Sequence, residues 1–330
     1  MSAALTMEKG IMMTFKRMLQ CLAFLCVAST PALAQDSTTR LIVGYAPGGG
    51  NDLSARIIAE ALGKSAGRPF IVENKPGASG QLAAEFVTRA KPDGGTLLAT
   101  GNSAISMAAA IYPKLNYDPI KDLVPVAIIA DYPQLVMIVA AGHPARTFAE
   151  FVSWSKANPE KSNYAAVAPA YTIPTEQLKL VSGLQAQAIS YKSSSEALVG
   201  VLNGQISFLL GDHNTTLSTV SSGQTRALLV TGADRIAALP EIPSAGELGY
   251  SEVSSSLWTG IFAPKGTTPE QAQEIAGLIS DALKEQSVQE KLHTIGVKPG
   301  KLVTGEFGAQ IVREVAGVRA VVKAAGLKFE

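Results

Sequence analysis

Two α/β domains that exchange strands are the architecture this sequence predicts, and three observations lead there. Short apolar runs alternate with helical patterns of ten or more residues from Leu41 onward. That is the signature of βαβ units and parallel sheet. The chain has 330 residues, a length that favours two domains over one. No internal repeat, low-complexity tract or long charged linker divides it, so the halves are expected to share chain crossings rather than hang from one tether.

The elements follow in order. "LIVGY" leads to a helix from about Asp52, with Leu53, Ile57, Ile58 and Leu62 on one face. "FIVE" precedes a turn-rich "NKPGASG" and the helix "QLAAEFVTRA"; "TLLAT" precedes a small-residue helix ending near Tyr112. In the middle, "QLVMIVAA" reads as a strand, and Thr147-Phe148-Ala149-Glu150 reads as a capping box opening the next helix. "NYAAVA", "AQAISY", "ISFLLG" and "RALLV" then alternate with helices, one of them opened by Ser193-Ser194-Ser195-Glu196. The strand "WTGIFAP" meets Thr268-Pro269-Glu270-Gln271, an N-cap with proline at N1 and glutamine at N3. Everything beyond is expected to be helical. "QLVMIVAA" and "WTGIFAP" are the two candidate crossing strands. They divide the chain into lobe 1 (35–137 and 258–330) and lobe 2 (138–257).

Residues 1–34 are set apart as an export signal. Lys16 and Arg17 precede an apolar run from Met18 to Val27, followed by Ala32-Leu33-Ala34. A charged start, a short apolar stretch and an A-x-A site predict cleavage after Ala34 and an exported protein. The run is too short to span a bilayer, and Leu25 directly before Cys26 argues against a lipoprotein. Met12 or Met13 serves equally well as the start. Both cysteines, Cys21 and Cys26, fall in this segment, so the processed chain is expected to have neither disulfides nor thiol chemistry. With Glu8, Lys9, Lys16 and Arg17 removed, the 28 basic and 27 acidic residues stay near balance. No basic run tracks a phosphate backbone, which excludes nucleic acid as a partner.

"YAPGGGND", Tyr45 to Asp52, places three glycines between the first strand and its helix. Ligands bind at this position in open α/β sheets. Bare backbone there can form a nest of N–H groups beside a helix N-terminus, which favours an anion. Asn51 or Asp52 is expected to cap the helix. The spacing is neither G-x-G-x-x-G nor a Walker loop, so a purely structural tight turn stands as the alternative. Nucleotides are scarce outside the cytoplasm, so a small carboxylate is the better guess.

Seven segments in order, "RLIVGYAPGGGNDLSARIIAEAL", "IVENKPGASG", "KPDGGTLLAT", "YDPIKDLVPVA", "NYAAVAPA", "ISYKSSSEAL" and "LPEIPSAGELGY", resemble the receptors of tripartite tricarboxylate transporters. These are also called Bug-type extracytoplasmic solute-binding proteins. The resemblance spans about Arg40 to Leu327. It implies a two-lobed periplasmic-binding-protein fold of type II, with two α/β domains joined by two crossing strands and the ligand in the cleft between them. It implies a first-lobe wall of Tyr45, Ala46, Gly49, Gly50, Asn51 and Asp52, joined by Ser79, Asn102 and Ser103. Onto the second lobe it maps Ala166, Ala168, Tyr171 and Thr172, with Asp212 as an acidic residue. The second-lobe stretch departs from the family pattern: alanines, a proline and a tyrosine stand where relatives carry serine and glycine. This favours a carboxylate with an apolar or aromatic body over a tricarboxylate, which Met107 would also suit.

Among bland readings, His143 and His293 are surface or loop residues, and none of the three histidines has a second metal ligand at H-x-x-x-H spacing. His213 reads as a solvated loop residue, with ligand contact as the alternative. Trp154 packs on a helix, and Trp258 is placed near the cleft floor. Gly77-Ala78-Ser79-Gly80-Gln81 and Gly101-Asn102-Ser103-Ala104-Ile105 both fail the G-x-S-x-G elbow at the last position. The expected function is therefore a receptor, not an enzyme, with no cofactor or metal. It would be a monomer that delivers a small carboxylate to a membrane permease of the tripartite tricarboxylate type. An exported carboxylate sensor signalling to a membrane partner is the alternative, ahead of an exported hydrolase.

Overall fold

The computed structural model describes residues 38–329, apart from 133, 192 and 254–256. The expected export segment and its cleavage point lie outside the described residues. β1 (Thr39–Val43) runs into α1 (Gly50–Ala66). β2 (Phe70–Asn74) leads through a 3₁₀ turn at Ala78–Gly80 to α2 (Gln81–Thr88). β3 (Thr96–Gly101) leads through a second, Asn102–Ala104, to α3 (Ser106–Ile111) and then β4 (Leu123–Asp131). The middle of the chain holds β5 (Val136–Ala140), α4 (Phe148–Ala157), β6 (Asn163–Ala166), α5 (Pro169–Ser182), β7 (Gln187–Ser190) and α6 (Ser194–Leu202). It continues with β8 (Leu209–Gly211), α7 (His213–Ser221) and β9 (Thr225–Val230). The return comprises β10 (Trp258–Pro264), α8 (Pro269–Lys284), α9 (Gln286–Thr294), β11 (Lys298–Pro299) and α10 (Thr304–Ala324).

One six-stranded sheet has the order β11-β4-β10-β3-β1-β2, and the middle of the chain forms β8-β5-β9 and β6-β7. The two-lobed α/β architecture is thus present, but among the named strands of the described residues the expected parallel pairing holds for β1 with β2 and β3 and for β6 with β7, and not for the rest. β10 runs antiparallel to both β3 and β4, and β5 to both β8 and β9. β10 enters its sheet from the other half of the molecule, so it travels against the strands it joins. "QLVMIVAA" pairs in the middle sheet from Val136 onward, while "WTGIFAP" lies wholly in the six-stranded one. The chain therefore passes between the sheets twice, between β4 and β5 and on its return into β10. The Tyr132 N–H donates to the Leu257 carbonyl at 2.8 Å and ties the two passages together.

Period-two alternation builds the first core. Leu41 and Val43 face α1 and α8 on one side of the sheet, and Ile42 faces α2 and α10 on the other. Each such buried aliphatic or aromatic side chain contributes about 1.5–3 kcal/mol. On the second face Phe307 of α10 packs edge-on against Trp258, with centroids 5.0 Å apart. The helix starts follow the sequence: Thr147 and Ser193 accept from the N–H groups of Glu150 and Glu196, and Thr268 forms a full capping box with Gln271. The expectation of an entirely helical tail fails at β11. There the Gly300 N–H reaches the Ile129 carbonyl, and a Cβ on Gly300 would stand 2.0 Å from the Ile128 oxygen. Only glycine lets this edge strand dock.

Candidate functional site

A cleft of about 510 Å³ opens where β1, β3 and the two passages meet α5 and α7. The three glycines of the first loop serve three different needs. Gly48 has φ +85°, a left-handed conformation that side chains disfavour. Gly49 is the N-cap of α1 and has no side-chain cap. Gly50 lies under the Tyr132 ring, which a Cβ would meet at 2.8 Å. The expected cap by Asn51 or Asp52 is therefore corrected, because both side chains are committed elsewhere. Asp52, 1% exposed, accepts from the Gly48 N–H (2.9 Å), the Asn74 amide (2.7 Å) and the Arg56 guanidinium (2.9 Å). Burial alone would raise its pKa, but these donors together hold the carboxyl below its ordinary value. Asp52 shapes the loop from behind.

Asn51 faces the other way. Tyr132 and Thr259 hydroxyls share a hydrogen bond of 2.9 Å, and Thr259 donates to Asn51 Oδ1 at 2.7 Å. This relay fixes the amide so that its NH₂ has no partner among the described residues. Next to it the chain from Gly77 to Gly80 stays at positive φ throughout, including Ala78 (46°) and Ser79 (53°). Positive φ at non-glycine residues costs of order 1–3 kcal/mol each and marks functional turns. The Tyr45 hydroxyl donates to the Ser79 carbonyl at 3.2 Å and holds this turn against the first loop. Gly44 permits the approach, since its Cβ would stand 2.8 Å from Gly80 Cα.

The opposite wall comes from the starts of α5 and α7. Tyr171 of α5 donates its hydroxyl to Asp212 Oδ2 at 3.0 Å. Asp212 Oδ1 accepts from the Thr215 N–H (2.9 Å) and hydroxyl (3.0 Å), so the carboxylate caps α7. Burial raises the pKa of Tyr45, Tyr132 and Tyr171, and the Asp212 charge adds to it at Tyr171. All three are neutral donors at neutral pH. No lysine or arginine lines the cleft among the described residues. An anion held here would rest on neutral hydrogen-bond donors.

Of the residues expected at the site, Tyr45, Gly50, Asn51, Ser79, Asn102 and Ser103 line one wall, and Ala168, Tyr171 and Asp212 line the other. Ala46 and Gly49 sit on the exposed outer arc of the loop. Asp52 is buried behind it. Ala166 ends β6, and Thr172 lies on α5 beyond the lining. Sequence reasoning missed Tyr132, Leu257, Thr215 and the turn Ile295-Gly296-Val297, which all line the cleft. It placed His213 in solvent, whereas the ring is half-buried in the wall; Trp258 does line the floor.

Residues 54–327 match the family described as "Tripartite tricarboxylate transporter family receptor". The chain belongs to this family. Protein BugT of Bordetella pertussis is 30% identical over 88% of this chain and 90% of its own. A UPF0065 protein in the gbd 5′ region of Cupriavidus necator is 32% identical over 92% and 94%. Among solved structures, "R. palustris Rpa4515 with adipate" superposes with a TM-score of 0.74 at 27% identity, covering 91% of this chain and 99% of that one. MatC from Rhodopseudomonas palustris with bound malate gives 0.70 at 26%, covering 86% and 98%. The fold is that of the periplasmic binding proteins, and this member of the tripartite tricarboxylate receptor family is a periplasmic solute-binding receptor.

Proposed function

We infer that this chain captures a small carboxylate in the cleft and delivers it, as a monomer and without chemical turnover, to a tripartite tricarboxylate-type permease. One observation carries the reading: the cation-free first wall, where the fixed Asn51 amide stands with Ser79, Asn102 and Ser103 around the strained 77–80 turn. Charge-assisted hydrogen bonds to neutral donors contribute about 1.5–3 kcal/mol each, enough for two or three to hold a carboxylate group. The malate and adipate carried by similar receptors support the ligand class. In this reading lobe 1 (35–137 and 258–330) supplies the anion grip and lobe 2 (138–257) completes the site on closing. Closure then requires contacts that only the closed form makes.

Tyr45, Tyr132, Tyr171, Leu257 and Trp258 surround the space next to the grip, which supports a carboxylate with an apolar or aromatic body over citrate. A thermal-shift screen of carboxylic acids on the processed chain tests this. Monocarboxylates with a ring or short chain should raise Tm, and citrate should not. Stabilisation by citrate alone overturns the preference, and no response to any acid overturns the carboxylate reading. Native mass spectrometry before and after incubation checks for turnover, which the receptor reading excludes.

A further inference from the structure

The first wall depends on two chain segments, the start of β10 and the turn after β3, and one carboxylate from the last helix touches both. Glu314 of α10 accepts the Trp258 indole N–H at 2.9 Å on Oε1, together with the Gln310 side-chain amide at 2.7 Å. Its Oε2 accepts the Ser106 hydroxyl at 2.6 Å. Glu314 does not itself line the cleft, so it reaches a solute through these partners.

Each arm leads to the wall. Trp258 is 1% exposed, with its ring against Phe262 and Phe307, so the indole cannot shift without moving the strand that carries it. Successive residues of a strand point to opposite faces: Trp258 reaches α10, and Thr259 reaches Asn51 Oδ1 at 2.7 Å. Thr259 also stands opposite Gly101 in the pairing of β10 with β3. On the other arm, Ser106 is the first residue of α3 and follows the Asn102–Ala104 turn, whose Asn102 and Ser103 line the cleft. Hydrogen bonds to a carboxylate are roughly twice as strong as neutral ones. This one side chain therefore couples the two segments more firmly than a neutral residue of its size would.

We propose that Glu314 is a positioning residue of the binding site: its carboxylate clamps Trp258 to Ser106 and so fixes the spacing between the Asn51 amide and the Asn102–Ser103 turn. This rests on the carboxylate reading above and deepens it by adding α10, the last helix of the chain, to the grip. Binding groups work when supporting bonds hold them within about 0.5 Å of their productive positions. Stability alone needs only that the indole and the hydroxyl find acceptors, so a structural role and a positioning role part in affinity.

Calorimetric titration of the processed chain with benzoate, malate and adipate tests the assignment, alongside fluorescence in a Trp154→Phe background that leaves Trp258 as the sole tryptophan. Glu314→Ala should shift the Trp258 emission and weaken the tightest-binding acid by at least about tenfold. Glu314→Gln keeps an acceptor for the indole and an amide for the Ser106 oxygen, and should stay within about threefold of the parent. Unchanged emission in Glu314→Ala, or shifted emission with affinity kept within about threefold, overturns the positioning role and leaves the carboxylate reading standing. A loss in Glu314→Gln equal to that in Glu314→Ala assigns the effect to charge rather than position and overturns the role too. Should Glu314→Ala fail to fold, Ser106→Ala cuts one arm alone: a loss of about threefold or more supports the clamp, and unchanged affinity overturns it. Absence of binding by all three acids overturns the carboxylate reading, and this inference falls with it whatever the fluorescence shows.

Discussion

The two walls of the cleft are built by opposite means. The first wall sits at the carboxyl ends of β1, β2 and β3, and its shape is backbone shape. Glycines allow close approach, Ala78 and Ser79 hold a strained turn, and Asp52 braces the loop from the side away from the cleft. The second wall is made of side chains at helix starts: Tyr171, Asp212 and His213, the first two joined by a hydrogen bond. The contrast teaches that one wall takes its shape from close backbone packing, which presents the Asn51 amide in a fixed position. The other takes its shape from side chains that also hold helix starts, as Asp212 does for α7.

The first wall should break hardest under backbone crowding. Gly44→Ala places a methyl 2.8 Å from Gly80 Cα, a main-chain contact that no rotamer change relieves. Overpacking of this kind costs about 1–3 kcal/mol. Urea denaturation should show a lower midpoint, and carboxylate affinity should fall by at least roughly tenfold, or 1.4 kcal/mol. A variant with wild-type stability and affinity would mean that the Gly44–Gly80 approach does not shape the grip.

The second wall should respond more modestly. Asp212→Ala removes the cap of α7 and frees the Tyr171 hydroxyl. Loss of an N-cap costs about 0.5–2 kcal/mol, so the midpoint should drop by less than in Gly44→Ala while the first-wall grip persists. Titration with a simple monocarboxylate should then show a weaker but measurable complex. Complete loss of binding with little loss of stability would instead place Asp212 in direct contact with the solute.

The smallest effect tests the brace. Asp52 is ionised below the ordinary carboxyl range in the folded state. Its contribution is therefore fully present above that ordinary range and is lost as pH falls through the lower native value. Arg56 is only half-buried, at 48% exposed, and such pairs contribute under about 1 kcal/mol. Arg56→Gln should leave stability at pH 7 nearly unchanged and move the onset of acid unfolding to higher pH. An unchanged acid limb would assign the bracing to Gly48 and Asn74 alone.

The sequence by itself determined the alternation of strands and helices, the helix starts at Thr147, Ser193 and Thr268, and the glycine loop after the first strand that comes to line the cleft. Each is a local matter: period-two or helical spacing, a capping hydroxyl, or glycines after a strand, all within a few residues. The family likeness also placed Asn102, Ser103, Tyr171 and Asp212, and the structure brings them to one cleft. What stayed illegible depends on contacts between distant segments. Tyr132 covers Gly50 from 82 positions away, β10 reverses the expected strand direction because it returns from the other lobe, and Gly300 inserts an edge strand into an otherwise helical tail. The histidine beside Asp212 carries no local mark of burial. Only tertiary packing decided that it lines the cleft with an unsatisfied nitrogen, because burial is a property of everything that surrounds a residue and not of its neighbours in the chain.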